Sequence, residues 1–215
     1  MSGRLLIALL AAAVFASAAV AGAGDPEKRA LNAADQGWAQ RINLTLRDLP
    51  SGFVQGPVQK TDWSTFTCPA FAPDLSAFTI TGEAGSHAFG NATTLLSSAT
   101  QVFRTAHDAV ADWRLSARRG ALECFVLMLK STAGSTDRIE SSTMRPAPHI
   151  GDRAISFRIL ARTSLNGRRV KAWLDILATT RGRARATLGI WGLQAPPPAA
   201  LERSLLAKLA RRLSR

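Results

Sequence analysis

Tyrosine is absent from this 215-residue chain, cysteine occurs twice, histidine three times, and lysine is scarce beside arginine, 5 against 22. Each shortage excludes something. His87, His107 and His149 have no HxH, HxxxH or HExxH spacing, and Cys68 and Cys124 have no CxxC or CxxH spacing, so neither a zinc set nor any other cofactor is expected. There is no GxSxG elbow, no phosphate-cradling glycine loop and no dinucleotide fingerprint. Ser86-His87 and His107-Asp108 are neighbours in sequence, whereas the members of a catalytic triad converge from separate segments. Asp108 and Asp112 stand four apart, as paired catalytic carboxylates do, but a solvated ion pair of Asp108 with Arg104 is the simpler reading. These residues favour a protein that is not an enzyme; the alternative is an enzyme with a dispersed active site. Arginine in place of lysine, abundant alanine and missing tyrosine suggest GC-rich coding DNA and hence a high-GC bacterium, where the sequons at Asn43 and Asn91 are accidents.

Only one long apolar run is present. It extends from Leu5 to Ala21, behind Arg4, and closes on Ala21-Gly22-Ala23, the small-x-small pattern that a signal peptidase reads. Residues 1–23 are therefore expected to be a cleavable signal peptide and 24–215 a single domain. A retained membrane anchor is the alternative, because about 17 apolar residues is the lower edge of a spanning helix. In the oxidising compartment that export implies, Cys68 and Cys124 read as a disulfide, with two buried free thiols as the alternative.

Charge is unevenly spread. Asp25 to Ile150 carries 12 basic and 12 acidic residues, and Gly151 to Arg215 carries 14 basic and 3 acidic. The mature excess thus lies wholly in the last third, where an anionic partner should meet the protein.

Helical spacing of Leu31, Ala34, Trp38 and Ile42 behind an Asp25-Pro26 cap predicts a first helix. Asp48-Leu49-Pro50-Ser51-Gly52 is a turn, Phe53 to Val58 a strand, Thr61 to Ser76 irregular, and Phe78 to Gly82 another strand. Thr93 to Val102 runs as a strand into a helix marked by Phe103, Ala106, Val110 and Trp113. A further helix covers Arg118 to Ser131, with Leu122, Phe125, Val126 and Leu129 on one stripe. Leu201, Leu205, Leu206, Leu209 and Leu213 form the stripe of a closing helix.

Between these lies a meander from Arg153 to Trp191. Asn166-Gly167 signals a two-residue hairpin loop, in which partner numbers sum to 333 and Arg158 faces Asp175. For the next turn, a three-residue loop Thr180-Arg181-Gly182 sets Leu174 against Leu188 and Trp173 against Gly189. This register places Ile155, Phe157, Ile159, Val170, Leu174, Ile176 and Leu188 on the buried side. It leaves Arg158, Arg162, Lys171, Arg183 and Arg185 outward, with Trp173 and Trp191 among them. Cations interleaved with indole rings suit an anionic or sugar-bearing ligand; an ordinary solvated face, its tryptophans covered by a helix or by the arginine stems, is the alternative. The fold class is α+β: an antiparallel sheet ending in a three-strand meander, with N-terminal, central and C-terminal helices packed on it.

The turn Asp48 to Phe53 after a first helix, Cys68 in an irregular loop, Val102-Phe103 entering a helix with Asp108-Ala109, then Cys124 and a terminal meander with a closing helix, resemble secreted actinobacterial α+β domains. Among these are the extracellular sensor-like domains of some mycobacterial serine/threonine kinases, of the PsbP/Mog1-like class. The resemblance implies a non-enzymatic, sensor-like binding module of the cell envelope, secreted or extracytoplasmic. The partner expected on the basic face is an anionic envelope polymer, a lipid or a small ligand, and nucleic acid is not expected. A structural envelope protein held by its basic third is the alternative. N-terminal sequencing of secreted material should show a mature start near Gly22 to Asp25; an intact Met1 or Ser2 in the membrane fraction would count against cleavage.

Overall fold

The computed structural model describes residues 27–58, 68, 71–132, 137–165 and 167–214. The chain runs through β1 (Lys28–Arg29), α1 (Ala33–Ile42), β2 (Val54–Val58), β3 (Thr79–Gly85), β4 (His87–Gly90) and β5 (Thr94–Phe103). It continues through α2 (Ala106–Ser116), α3 (Arg119–Thr132), β6 (Arg138–Arg145), β7 (Arg153–Leu165), β8 (Arg168–Arg181), β9 (Ala184–Leu193) and α4 (Ala199–Arg212). One nine-stranded sheet results, in the order β1-β3-β5-β9-β8-β7-β6, with β4 pairing the other end of β5 and β2 pairing β4. Among the described residues, only the short β1–β3 pair is parallel. The α+β class therefore holds, with β1, β4 and β6 as strands the sequence did not announce.

Helices cover both faces. Trp38, Ala39 and Ile42 of α1 and Leu205, Leu206 and Leu209 of α4 pack with Leu177, Leu188 and Ile190. On the other face Leu122, Val126 and Leu129 of α3 pack with Ile155, Phe157, Ile159, Leu174 and Trp191. Strand β9 is accordingly buried at every position but its last. That is the situation in which a strand reads as nearly continuous apolar and small residues rather than as an alternation.

The β7–β8 register is the expected one, with partners from Arg153↔Thr180 to Leu165↔Arg168 and Arg158 opposite Asp175. Gly167 takes a left-handed φ of 76° in that loop. The β8–β9 register differs from expectation. Its loop is two residues, Gly182-Arg183, with Gly182 at φ 56° in the first position, so Leu174 faces Trp191 and Leu177 faces Leu188. Glycine at that position suits a type II′ hairpin. Leu188 consequently lies on the face opposite to Leu174, and Trp173 meets Gly192 rather than Gly189.

Two helices also bury other faces than their apolar spacing indicates. The first begins at Ala33 with Asn32 as its cap, while Leu31 and Ala34 are exposed; Asp25 and Pro26 lie outside the described residues. Asp35 joins Trp38, Ala39 and Ile42 on its buried stripe. This helix sits so close to the sheet that a Cβ on Gly82 would come within 2.4 Å of the Asp35 carbonyl oxygen. In α2 the buried positions are Asp108, Ala109, Asp112 and Ser116, whereas Phe103 belongs to β5. Asp108 is thus not on a solvated face, and Arg104 donates instead to Thr79.

The loop before β3 is tied to α3 by the Cys68–Cys124 disulfide, with Cα atoms 5.6 Å apart across 56 residues of sequence. Phe71 seats against Gly120 at the start of the same helix. Removing this cross-link by Cys68→Ala/Cys124→Ala, or by reduction, should lower the unfolding free energy in urea by about 4 kcal/mol.

Candidate functional site

Where each cation of the basic third goes decides what its surface can bind. Arg183, in the β8–β9 loop, forms a bidentate pair with Asp35 at 2.8 and 2.6 Å and donates to the Phe103 carbonyl at 2.9 Å. Its guanidinium lies 5.3 Å from the Trp38 ring centroid. The hydrogen bonds from Arg183 hold the Asp35 carboxyl far below the ordinary carboxylate range. Arg185 is buried under α2, where it reaches Asp112 and, at 2.9 Å, Ser116. Arg212 clamps Asp48 at 3.0 and 2.6 Å and thereby ties α4 to the turn after α1.

Arg158 belongs to a quartet. It binds buried Asp175 at 2.7 Å through Nε, Arg145 approaches the same carboxylate to 3.1 Å, and each arginine lies 3.4 Å from Glu202 of α4. Burial acts against the charged form of Asp175, yet the Arg158 hydrogen bonds hold its pKa below the ordinary value. Burial and then the adjoining Asp175 push Glu202 up to about 7. The pair therefore shares one proton between two carboxyls as the pH falls below about 7. Sealed beneath two guanidinium groups, it ties α4 to β6, β7 and β8.

The seven residues proposed for the binding face separate on the structure. Arg185 and Trp191 lie on the α2–α3 face of the sheet, Arg183 in the turn, and Arg158 in the quartet. Arg162, Lys171 and Trp173 remain together on the α4 face, toward the β7–β8 hairpin and past the first turn of α4. Two residues that the sequence reading missed complete this group. Arg138 of β6 pairs with Arg162, which pairs with Lys171, so three cations stand in one row across three strands. Arg169 occupies the next position on the same face, and its parity with Lys171 and Trp173 was the available signal. Arg138, Arg169 and Lys171 are exposed. Glu140 answers the row at 2.7 Å from Arg162. Arg162 Nε has no hydrogen-bond partner among the described residues.

The histidines and sequons have local duties. Ser86 Oγ donates to the His87 carbonyl oxygen, and His87 Nδ1 lies 3.0 Å from the Gly56 carbonyl oxygen. Asn43 is buried and donates to two carbonyl oxygens while accepting from Ser98 and Thr100. Among the described residues, no three His, Cys, Asp or Glu side chains gather as a metal ion requires, and no helix is long and apolar enough to cross a membrane.

An α+β domain with helices on both faces of a largely antiparallel sheet, and a basic row at one hairpin, is the class these features define. No protein-family model matches the chain, and no curated protein does. Among solved structures it is similar to the extracellular domain of PknH from Mycobacterium tuberculosis, at 12% identity and TM-score 0.49 over 83% of this chain and 95% of that one. It is similar also to an uncharacterised Mycobacterium smegmatis protein, the Rv0999 ortholog, at 12% identity and TM-score 0.44 over 83% and 96%.

The quartet makes a pH prediction. A folded pKa raised from 4.5 to about 7 means that Glu202 contributes stability below pH 4.5 that is lost as the pH rises through 7. Glu202→Gln should flatten this decline, which in the parent amounts to up to roughly 3 kcal/mol. Urea unfolding of both proteins across that window checks it; parallel curves would remove Glu202 as the source.

Proposed function

We propose that this chain is an exported, non-enzymatic binding module of the bacterial cell envelope, and that the Arg138–Arg162–Lys171 row is the face that holds an anionic envelope component. The carrying observation is the strand register. It sets like charges directly opposite one another on two successive strand pairs, an arrangement that destabilises a sheet unless something answers it. A carboxylate or phosphate bridging the row relieves that repulsion, and guanidinium groups bind such oxyanions as forks. Trp173, half-buried one position further along β8, offers an indole edge to the apolar or sugar part of the same ligand. The Cys68–Cys124 disulfide supports an oxidising, extracytoplasmic setting.

The decisive variant neutralises only cations that no buried carboxylate holds. Arg162→Gln/Arg169→Gln/Lys171→Gln should melt within a few degrees of the parent, because these side chains lie outside both cores. Its retention on isolated envelope at low salt should fall on the order of tenfold to a hundredfold, since each basic residue near an anionic surface contributes about 1 kcal/mol. Parent retention should itself weaken as salt shortens the screening length to about 8 Å and below. Equal retention of a folded triple variant would make the row ordinary soluble surface.

A further inference from the structure

The two covered faces of the sheet are not packed alike. Under α1 and α4, Leu188 and Ile190 have 0% exposure, as central core residues should. Under α2 and α3, Leu174 and Ala178 are covered as completely, but residues beside them keep a small contact with solvent: Ala99 is 8% exposed, Thr187 7% and Phe157 7%. Solvent therefore reaches the middle of this face between the sheet and the α2–α3 layer. The register shows why there is room. Thr187 lies between Ala99 and Ala178, and the next row along is Ser97, Gly189 and Ile176. Five of these six positions carry a small side chain or none.

Polar atoms without partners border the same floor. Among the described residues, Thr180 Oγ1, Arg185 Nε and Trp113 Nε1 are buried and lack a hydrogen bond, and so do Ser97 Oγ and Trp191 Nε1. Thr180 and Arg185 are cross-strand partners at one end of the floor. Arg153, the partner of Thr180 on its other side, lies over the Trp113 ring at 5.7 Å. Ser97 and Trp191 mark the other end. A buried polar group that nothing answers forfeits its hydration, so five around one floor are a costly arrangement for a mere interior. Arg185 Nε and the two indole nitrogens are donors only, so whatever answers them brings acceptor oxygens. The Nη1 side of Arg185 is taken up by Asp112 and Ser116, so it is the Nε side that remains for an acceptor.

We propose that this cleft is a second binding site, for a linear acyl anion. The anionic head meets Arg185, Thr180 and Trp113, the chain lies over Ala99, Thr187 and Ala178 against Phe157 and Ile155, and a second oxygen reaches Ser97 and Trp191. The four steps along the strand from Arg185 to Gly189 span about 13 Å, the reach of a chain of about ten carbons. The site lies on the sheet face opposite to the basic row and is independent of it.

ω-Bromodecanoate is the probe, read by quenching of intrinsic tryptophan fluorescence and displaced by unlabelled competitors. Saturable quenching is expected, with decanoate competing about tenfold better than decanol because only the acid presents a charged acceptor to Arg185. ω-Hydroxydecanoate should compete better still, and Ser97→Ala should abolish that last preference while leaving decanoate unchanged. Ala99→Leu should keep the parent melting temperature and lose the probe, since its side chain fills open floor. The proposal is overturned if quenching never saturates, as when the polar atoms hold ordered water alone, or if acid and alcohol compete equally. It is overturned too if Ala99→Leu binds like the parent, or if it unfolds the protein, which would show that floor to be closed core.

Discussion

Strand β9 has a helical layer over each face: Leu188 and Ile190 lie beneath α1 and α4, while Arg185, Thr187 and Trp191 lie beneath α2 and α3. A strand in that position can carry polar groups only if the layers above answer them. Much of the ion-pair chemistry follows from this. Arg185 requires Asp112, and so α2 turns its two aspartates inward and leaves most of its apolar residues only partly covered. Arg183, just before the strand, requires Asp35, which turns α1 in the same way.

The same constraint governs the closing helix. Its leucines bury against β8 and β9, but its position along the sheet is set by polar contacts at both ends. Glu202 joins the Asp175 quartet in the first turn, and Arg212 grips Asp48 in the last. Buried ion pairs of this kind add little net stability over an apolar packing, whereas losing one partner is costly because the other charge stays buried. Their effect is to fix the register of one layer upon the next. The cations used in this way are therefore withdrawn from the surface, and the basic excess of the last third is divided between internal ties and a smaller outward row.

The two layers serve different ends. The α1–α4 side is closed and dry, and holds the sheet together. The α2–α3 side retains small residues, unmet donors and access for solvent, with the disulfide restraining the helix above it. Ligand sites of this description, apolar with a few fixed polar groups, stand at positions where packing has been left incomplete. The basic row lies beyond the end of α4, where the hairpin outruns its covering helix and charge meets water.

Much was legible from local chemistry alone. The Asn166-Gly167 turn set the β7–β8 register, the leucine stripe marked α4, and Arg158 opposite Asp175 followed from the pairing. Hairpin chemistry acts over a few residues and a helix stripe over a few turns, so both survive in a linear reading. The β8–β9 register did not, because the test assumed one wet face. When both faces are buried, a shift that exchanges them exposes no apolar residue, and alternation loses its power to choose. The inward aspartates of α1 and α2 were hidden for a related reason: an acidic residue reads as solvated until a distant arginine arrives to hold it. Arg183 lies 148 positions from Asp35, and Arg185 lies 73 from Asp112. The sequence by itself determined the helices and the β7–β8 hairpin with its turn chemistry; the tertiary structure decided the β8–β9 register and which charges stayed outside, because each is assigned by a partner that only folding brings near.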